Sequence, residues 1–368
     1  MRVTSVRTNH FRNLAPIDLG DLGSANIFVG GNAQGKTNIL EAIYAAMSGG
    51  SFRISQDKYL VQIGEVDAQV FVEMTTDRGQ EKFVQLFWGE NNGKAFGLTV
   101  KVNGVLSNRL ELIRSFPAVI FSPEDIDLLR LSASHRRRFM NLAIGRSNPS
   151  YVQDLIDYNR IRMQRNQLLL LVKQGRASAD ELDVWDEKMS EVGAQLVRAR
   201  FEFMGKLAEQ TTKYYQLVAG ENGRLEVHYF PSINEDQRGY LEALRRLRSL
   251  DIARAATTRG AHRDDISMAI NGQDVRFAAS RGEFRSAVLA LKFAEAAYLR
   301  EKGGEDPVYL LDDAFSELDE QRQQALADVL RGTQSFITTH DTATAKLFKE
   351  PRVFDVEKGG VKNYVAVA

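Results

Sequence analysis

One stretch near the N-terminus constrains the possible folds of this chain more than any other. It reads Gly30-Gly31-Asn32-Ala33-Gln34-Gly35-Lys36-Thr37, the G-x-x-x-x-G-K-T pattern of phosphate-binding loops. In such loops backbone N–H groups face the phosphates, the lysine supplies positive charge, and the threonine hydroxyl can hold Mg²⁺. A short apolar run, Ala25–Val29, precedes the pattern, and apolar residues at helical spacing follow it from Asn38 to Met47. Strand, loop and helix in this order predict that these eight residues bind ATP with Mg²⁺.

Composition excludes several classes of protein. The 368 residues include no cysteine, so disulfides, thiolate metal sites and cysteine nucleophiles are ruled out. The N-terminus lacks the apolar core of a signal peptide, and the longest apolar run, Leu168 to Val172, is far short of the ~20 residues that span a bilayer. We therefore expect a cytoplasmic protein with no membrane partner.

Basic residues are concentrated in one segment although the net charge of the chain is zero. Between Arg130 and Arg176 there are ten Lys/Arg and only two Asp/Glu, and the next stretch is acidic. The basic segment can face the phosphate backbone of DNA, or two neighbouring helices can complement each other's charge. The candidates for DNA contact are Arg136, Arg137, Arg138, Arg160, Arg162 and Arg165.

The hydrophobic period divides the chain into three regions. The first residues have an α/β pattern, and from Val66 to Phe121 the period of two predicts a mostly antiparallel sheet. Ser122-Pro123-Glu124-Asp125 has the spacing of a capping box, and long helices are predicted over Tyr151–Gln174 and Ala179–Leu217. After Gly282 helices and strands alternate again. The sequence predicts a head domain formed by residues 1–121 and 258–368, with a largely helical lobe, 122–257, inserted.

Two acids follow a buried strand in the C-terminal part. Val308-Tyr309-Leu310-Leu311 precedes Asp312 and Asp313, and in a phosphate-loop protein this is the position of the aspartate that organises the metal. Asp312 would hold Mg²⁺, and Asp313 could orient or deprotonate the attacking water. His340 ends a further apolar strand, at the sheet edge where α/β proteins bind ligands. We therefore predict catalytic roles for Asp313 and His340.

These motifs together resemble those of the ABC-type ATPases. The order is phosphate loop, signature loop, acidic strand, D-loop and histidine, and the signature candidate is Ser280-Arg281-Gly282-Glu283 before a helix. In that superfamily the serine and the glycine of the signature contact the γ-phosphate held by a partner subunit. The resemblance implies an α/β, ABC-type head built from both termini, with nucleotide contacts from Ser280 and Gly282 and an ATP-dependent homodimer.

Within the superfamily, the chain looks like the RecF family. The motifs of that family occur in order over essentially the whole length: Phe11-Arg12-Asn13-Leu14, Gly35 to Ala42, Ser51-Phe52-Arg53, Phe121 to Asp125, Arg136 to Phe139, His262-Arg263-Asp264-Asp265 and Leu311 to Asp319. The resemblance implies clamping of DNA near duplex–single-strand junctions, slow ATP hydrolysis that acts as a timer, and RecO and RecR as partners in RecA loading. It also makes Arg12 and Arg53 candidates for contact with the nucleotide phosphates.

The sequence departs from the family pattern at two places. The signature usually reads close to S-Q-G-Q-Q-R, whereas here Glu283 and Phe284 replace two glutamines. A carboxylate near a triphosphate is unfavourable unless Arg281 or Arg285 offsets it, which concerns the rate of hydrolysis more than ATP binding. Ala261 stands where the family generally has proline.

Other functions of an ABC-type head fit less well. An SMC-type head needs two long coiled-coil segments, and a transport ATPase needs a site that docks a membrane subunit. Even the longest predicted helices here are far too short for coiled-coil arms, and the motif Phe11-Arg12-Asn13 is not typical of transporters. A metal-dependent nuclease centre needs clustered acids, and too few follow His340.

Overall fold

The computed structural model describes residues 1–90, 95–220, 223–233, 236–316 and 318–364. Within them the chain divides into two compact units. Unit 1 comprises Met1–Ile126, Lys213–Gly223 and Ser280–Ala368, and unit 2 comprises Asp127–Thr212 and Arg224–Ala279. The division predicted from the sequence assigned residues 258–279 to the head. They group with unit 2 because the strand Asp265–Ile270 pairs with Leu225–Phe230.

The strands of the described residues are numbered in chain order. They are β1 (Arg2–Asn9), β2 (Ile17–Leu19), β3 (Ala25–Val29), β4 (Ala68–Thr75), β5 (Glu81–Gly89), β6 (Gly97–Val102), β7 (Val105–Ser107), β8 (Ala118–Phe121), β9 (Leu225–Phe230), β10 (Asp265–Ile270), β11 (Gln273–Asp274), β12 (Val308–Leu311), β13 (Ser335–Thr339), β14 (Arg352–Glu357) and β15 (Gly360–Tyr364).

The α-helices are numbered in the same way. They are α1 (Lys36–Ser48), α2 (Arg109–Ser115), α3 (Ile126–Arg130), α4 (Ala133–Ser147), α5 (Pro149–Lys173), α6 (Leu182–Ala219), α7 (Gln237–Arg246), α8 (Arg248–Arg254), α9 (Val275–Ala278), α10 (Arg281–Gly303) and α11 (Glu320–Val329). Short 3₁₀ turns occur at Asp57–Leu60, Pro123–Asp125, Ala179–Glu181, Ala261–Arg263 and Thr342–Leu347. Over the part of the chain that the structure describes, no helix is both long and apolar enough to cross a bilayer.

Unit 1 contains an antiparallel sheet whose strand order is β2-β1-β4-β5-β6-β7. Its inner face is built from alternate residues of each strand, such as Val70, Val72 and Met74 of β4, which are buried. This confirms the period of two read from the sequence. The alternation read from Val66 begins too early, because β4 starts at Ala68 and Val66 is 84% exposed.

A second sheet in unit 1 has the strand order β15-β14-β3-β13-β12-β8. Strands β14, β3, β13, β12 and β8 run parallel, and β15 is antiparallel to β14. The carboxyl ends of parallel strands meet at one edge of a sheet. The phosphate loop after β3, the two acids after β12 and His340 after β13 therefore lie along the same edge.

Helix α1 forms the core between these sheets, since it contacts strands of both of them. Its apolar residues Ile39, Leu40, Ile43 and Met47 are buried at helical spacing, and burial of such a side chain contributes ~1.5–3 kcal/mol. The beginning of α1 is thus held firmly against the ends of β3 and β12. The predicted α/β class is confirmed.

Unit 2 consists of helices and the small antiparallel sheet β11-β10-β9. The two long helices predicted from the sequence are found as α5 and α6, joined by a short segment that includes the turn Ala179–Glu181. The segment predicted as one helix from Glu235 to Thr257 is two helices, α7 and α8, and Glu235 itself lies outside the described residues.

Candidate functional site

The phosphate loop occupies residues 30–37, between the fully buried strand β3 and helix α1. Gly35 precedes α1 with a φ of 110°, and no side chain of the described residues caps this helix. The first N–H groups of α1 are therefore open to an anion, as in phosphate sites at helix N-termini. Lys36 Nζ donates to the backbone oxygens of Gly30 and Gly31 at 2.8 and 2.9 Å, which holds the ammonium over the loop.

Asp312 connects the acidic strand to the phosphate loop. The Thr37 hydroxyl donates to Asp312 Oδ1 and Oδ2 at 2.8 and 3.0 Å, and the Thr338 hydroxyl donates to Oδ1 at 2.6 Å. Burial, reinforced by the nearby carboxylates of Asp313 and Glu124, raises the pKa of Asp312 against the opposing effect of these hydrogen bonds. A buried carboxylate next to a hydroxyl is a ligand pair suited to Mg²⁺.

Asp313 has an unusual backbone conformation beside this carboxylate. Its φ is 49°, and its N–H donates to the Thr338 hydroxyl at 3.0 Å. Its Oδ1 is buried and has no hydrogen-bond partner among the described residues. A non-glycine residue at positive φ is strained, and such strain is often found at functional sites. His340 is exposed at the end of β13, along the same edge.

Metal ligands in this region are few. In the described ranges no group of three or more His, Cys, Asp and Glu side chains is placed to hold a metal ion. Nucleotide-bound Mg²⁺ needs no such group, because one or two protein ligands, phosphate oxygens and waters complete its shell. The pair Thr37 and Asp312 fits that requirement.

The phosphate loop is supported from the C-terminal hairpin, which the sequence analysis did not anticipate. The backbone N–H of Gly359 donates to Gln34 O at 2.8 Å, and that of Lys358 donates to Gln34 Oε1 at 2.7 Å. The turn between β14 and β15 therefore fixes the loop from a position more than 300 residues away in the sequence. No local pattern signals this contact.

Arg12 lies beside the loop but faces a carboxylate. Its Nε and Nη2 donate to both oxygens of the fully buried Glu41 at 2.8 and 2.7 Å, and its Nη1 donates to Tyr59 O at 2.9 Å. This bidentate pair fixes the segment before the loop to α1. The predicted contact between Arg12 and the nucleotide stays a prediction.

The signature residues form the N-terminus of α10. Ser280 caps the helix, and Glu283 completes a capping box: the N–H and hydroxyl of Ser280 donate to Glu283 Oε2 at 2.9 and 2.7 Å. These hydrogen bonds from Ser280 lower the pKa of Glu283. The glutamate that departs from the family pattern therefore stabilises the start of α10.

Gly282 lies close to a side chain of α11, that of Arg322. A Cβ at this position would lie 2.7 Å from Arg322 Nη1, and Arg322 is in turn paired with Asp319 at 2.7 Å. Asp319 caps α11 by accepting from the backbone of Arg322. Arg322 therefore lies beside Gly282 of the signature and pairs with Asp319, the last residue of the motif Leu311 to Asp319. Glu317, part of the predicted motif, lies outside the described residues.

Two of the arginines predicted to contact DNA are buried in ion pairs, so this part of the prediction is wrong. Arg165 is fully buried in unit 2, where it pairs with Asp186 and Asp251, both at 2.7 Å. Arg136 is 4% exposed, and its Nε and Nη2 donate to the carboxylate of Asp265 at 2.7 and 2.9 Å. Because these guanidinium groups are held in buried ion pairs, Arg136 and Arg165 are removed from the candidates.

The other basic residues differ in exposure. Arg137 donates to Asp264 O at 2.8 Å, and burial lowers its pKa. Arg138 and Arg160 are exposed, and Arg162 is half-buried. Arg137 is also half-buried, but its guanidinium already bonds Asp264 O, so the remaining candidates for DNA contact are Arg138, Arg160 and Arg162.

The motif that begins at His262 belongs to a buried polar network of unit 2. Arg200 pairs with Asp264 at 2.6 Å, and the Tyr229 hydroxyl donates to the same carboxylate. The His262 ring bonds the Tyr158 hydroxyl at 2.9 Å and Thr257 O at 3.0 Å. Burial lowers the pKa of His262 to about 4. Sequence reasoning missed Arg200, since nothing local distinguishes it from other helical arginines.

Comparison with known proteins confirms the resemblance to the RecF family. The family model described as RecF/RecN/SMC N terminal domain matches residues 2–362. The DNA replication and repair protein RecF of Acetivibrio thermocellus is 34% identical over 350 residues, which cover 93% of this chain and 94% of that protein. RecF of Symbiobacterium thermophilum is 36% identical over 375 residues, with 98% of each chain covered.

Solved structures give the same result. The recombination mediator protein RecF with ATP, in the RecFOR pathway, is 32% identical and superposes with a TM-score of 0.87 over 99% of this chain and 98% of that chain. An Smc head bound to the C-winged helix domain of ScpA is only 14% identical, with a TM-score of 0.59 over 98% of this chain and 96% of that chain. That second similarity concerns the fold alone.

Proposed function

The chain belongs to the RecF family of DNA replication and repair proteins, and from this premise we propose that it is an ATP-dependent DNA-binding protein of recombinational repair. The observation that carries the proposal is the contact of the Thr37 hydroxyl with Asp312, beside Lys36 and the uncapped start of α1. These groups supply the donors and the carboxylate that a nucleoside triphosphate and its metal require.

ATP would bind with its phosphates against the loop 30–37. Lys36 would leave the carbonyl oxygens of Gly30 and Gly31 and contact the β- and γ-phosphates. Thr37 and Asp312 would hold Mg²⁺, which neutralises charge on the phosphates. Asp312 would remain ionised in this state, because an adjacent divalent cation lowers the pKa of a carboxylate.

Hydrolysis is proposed to be slow and to serve as a switch. Asp313 is the candidate that orients or deprotonates the attacking water, since its Oδ1 has no hydrogen-bond partner among the described residues. His340, at the end of the neighbouring strand β13, is the second candidate. An exposed imidazole at this edge can contact the γ-phosphate and report its loss.

A homodimer would complete the site. We propose that Ser280 and Gly282, at the start of α10, contact the γ-phosphate held by a second copy of the chain. Each ATP would then receive hydrogen bonds from both subunits, and hydrolysis would remove the contact that favours the closed state. Dimerisation is therefore expected with ATP and not with ADP.

DNA would be gripped through its backbone. Arg138, Arg160 and Arg162 are the candidates with accessible side chains, and phosphate contacts of this kind do not read sequence. RecR and RecO are the proposed protein partners, by family membership. A cytoplasmic location, where these partners and the chromosome are found, is part of the same proposal.

The test measures the affinity for a short fluorescent duplex by anisotropy, with Mg²⁺ and ATP, ADP or no nucleotide. In the wild type we expect ATP to raise the affinity roughly tenfold, a coupling of ordinary size. The effect should disappear in Lys36→Ala and persist in Lys349→Ala, an exposed lysine of the same unit. An affinity that ignores ATP, or an ATP effect that survives Lys36→Ala, would contradict the proposal.

A further inference from the structure

The antiparallel sheet of unit 1 has an outer face that the nucleotide site does not use. Inner residues such as Val70, Val84 and Leu86 are buried, so the alternate residues of β1, β4, β5 and β6 point away from that core. These outer residues line a concave cavity of about 440 Å³. We call this surface the outer sheet face and define it by Arg7, Gln69, Phe71, Gln85, Phe87 and Lys101.

Strand register arranges these side chains in two neighbouring rows. Arg7 is opposite Phe71, Phe71 is opposite Gln85, and Gln85 is opposite Lys101. In the next row Gln69 is opposite Phe87. Neighbouring strands lie ~4.8 Å apart, so the row from Arg7 to Lys101 spans roughly 14 Å. Each row therefore presents a cation or an aromatic ring together with amide groups.

The residues that line the cavity are positively charged or neutral, whereas Glu73 lies on the same face of β4 in the next row. The cavity is lined by Arg7 and Lys101, and none of its lining residues carries a carboxylate. Lys101 is exposed and has no ion-pair or hydrogen-bond partner among the described residues. Arg7 bonds Glu73 at 3.0 Å, but both side chains are about half exposed, so water and salt weaken this pair. The face is complementary to an anion.

The two aromatic rings of the outer sheet face, Phe71 and Phe87, are half-buried and lie on the side of the sheet away from the core. Phe87 leans along β5 over Gly89, where an added Cβ would lie 2.9 Å from the ring. In the described part of the chain Phe87 makes no contact with another ring or a cation. The Arg7 guanidinium lies 4.3 Å from the Phe71 ring centroid. One free ring and one cation-capped ring therefore face the same cavity.

We propose that the outer sheet face binds a single strand of nucleic acid, with bases stacked on Phe87 and on the Arg7–Phe71 pair and phosphates near Lys101. This inference rests on the proposed DNA-binding function but uses a surface separate from Arg138, Arg160 and Arg162. A four-stranded sheet with aromatic and basic side chains can take two or three unstacked bases. A duplex is not suited to this face, because its bases are already stacked and offer no ring face to Phe87.

An acidic peptide is the competing occupant, and the outer sheet face favours nucleic acid over it. A peptide carboxylate would use Lys101 and Arg7 but would leave Phe87 without a stacking partner. Amide groups such as Gln69 and Gln85 lie beside the rings and can bond base edges. The proposal therefore commits to a strand that carries both negative charge and planar rings.

The test compares the affinity of the full-length protein for fluorescent oligothymidylate of ~15 nucleotides, a length that a single-strand site can engage, and for a duplex. We expect Phe87→Ala to weaken single-strand binding by roughly fivefold or more, since loss of one stacked base has at least this effect. Lys101→Glu should also weaken it, because a negative charge then faces the phosphates. Duplex binding with ATP and ATP-dependent dimerisation should stay within about twofold. An oligouridylate of the same length distinguishes DNA from RNA as the preferred strand.

Two controls keep the result interpretable. Arg78→Glu makes the same change in charge at the exposed turn between β4 and β5, away from the cavity, and should leave single-strand binding unchanged. Phe87→Leu retains an apolar side chain in case Phe87→Ala fails to fold, and it should still lose stacking. Photo-crosslinking of a 5-iodouracil strand should label the peptide that contains Phe87.

Several outcomes would overturn the inference. Equal losses in Arg78→Glu and Lys101→Glu would indicate general electrostatics, and unchanged binding in both Phe87 variants would exclude stacking. Displacement of oligothymidylate by polyglutamate of equal charge would favour an acidic peptide. Because duplex binding with ATP is measured in the same samples, failure of the single-strand site is distinguishable from failure of the proposed function.

Discussion

Thr37 and Asp312 are 275 positions apart in the sequence and are joined by hydrogen bonds of 2.8 and 3.0 Å from the threonine hydroxyl to the two carboxylate oxygens. The contact ties the start of α1 to the end of β12. It also places a carboxylate that is only 6% exposed beside the phosphate loop. The two groups proposed to hold Mg²⁺ are therefore together before a nucleotide binds, and this arrangement buries the carboxylate of Asp312, which is unfavourable for its charged form.

The buried carboxylate of Asp312 is predicted to lower the stability of the nucleotide-free protein while it favours binding of ATP with Mg²⁺. Burial raises its pKa, so the ionised side chain is less favourable in the folded protein than in the unfolded chain. Asp312→Asn removes the charge and keeps a group that can bond Thr37 and Thr338. We expect a nucleotide-free melting temperature higher by roughly 1–3 °C, for a gain of about 1 kcal/mol, together with weaker binding of ATP with Mg²⁺.

The pH dependence fixes the sign of this effect. With a raised pKa, the folded state holds its proton at pH values where the unfolded aspartate has already lost it. The wild type should thus lose stability relative to Asp312→Asn as the pH rises from the ordinary aspartate range to the raised pKa, and the difference should be constant above it. Scanning calorimetry measures this difference in stability, and Asp18→Asn, at an exposed position, is the control. A nucleotide-free Asp312→Asn that melts below the wild type would refute the explanation.

Glu283 is predicted to have two effects that different substitutions distinguish: its hydrogen bonds stabilise α10, and its negative charge weakens the ATP-dependent dimer. Glu283→Gln keeps an acceptor for the Ser280 N–H and hydroxyl, whereas Glu283→Ala removes it and should cost about 1 kcal/mol of stability. Removal of the negative charge should strengthen the ATP-dependent dimer roughly fivefold, about 1 kcal/mol of repulsion, and less at high salt. Sedimentation with ATP at two salt concentrations measures both effects. If Glu283→Gln weakens the dimer, Glu283 does not repel the phosphates.

Arginines of α5 are predicted to separate into structural and DNA-contacting residues. Arg165→Ala leaves Asp186 and Asp251 without their shared buried partner and should cost about 3–5 kcal/mol of unfolding free energy. Arg160→Ala, at an exposed position of the same helix, should change stability by less than about 0.5 kcal/mol. If Arg160 contacts a phosphate, its removal should also reduce the salt slope of duplex binding by ~1. Urea unfolding measures the stability of both variants, and salt titrations of duplex binding measure the slope. An Arg165→Ala variant as stable as the wild type would contradict the structural role of Arg165.

His262 is predicted to destabilise the protein in mild acid. Its folded pKa of about 4 lies below the ordinary 6.5, so the unfolded state binds a proton that the folded state does not. Stability is therefore full above pH 6.5 and should fall as the pH drops toward 4, by up to ~1.4 kcal/mol per pH unit for this group. Urea unfolding across this range should give a flatter profile for His262→Gln. His135→Gln, on an exposed residue, should match the wild type, and parallel profiles for all three proteins would contradict the prediction.

Local patterns were enough to predict the parts of the fold that depend on short-range order. The phosphate loop has the predicted strand before it and the predicted helix after it. The capping box of Ser122 and Asp125 is present, and the helix expected over Tyr151–Gln174 is found at Pro149–Lys173. Periodicity and capping depend on residues that are close in the sequence, so they can be recognised in a single sequence without knowledge of the fold.

Contacts between distant residues could not be predicted in the same way. Periodicity gives the face of a helix on which Arg136 or Arg165 lies but not the acid it meets. Both are therefore candidates for DNA contact from the sequence alone, although Asp265 and Asp186 pair with them. Glu283 is different, because Ser280-x-x-Glu283 is itself a capping-box signal that the sequence contains. From the sequence, we considered the charge of Glu283 only in relation to the nucleotide phosphates. In the structure its carboxylate accepts hydrogen bonds from Ser280 at the start of α10.

The central claim is that ATP, held by Lys36, joins two copies of the chain. Light scattering with Mg²⁺ and either ADP or ATP, on the wild type and Lys36→Ala, tests it most directly. We expect the mass of one chain with ADP, the mass of two with ATP, and one chain under both conditions for Lys36→Ala. A wild-type mass that does not change with nucleotide, while ATP is bound, would contradict it.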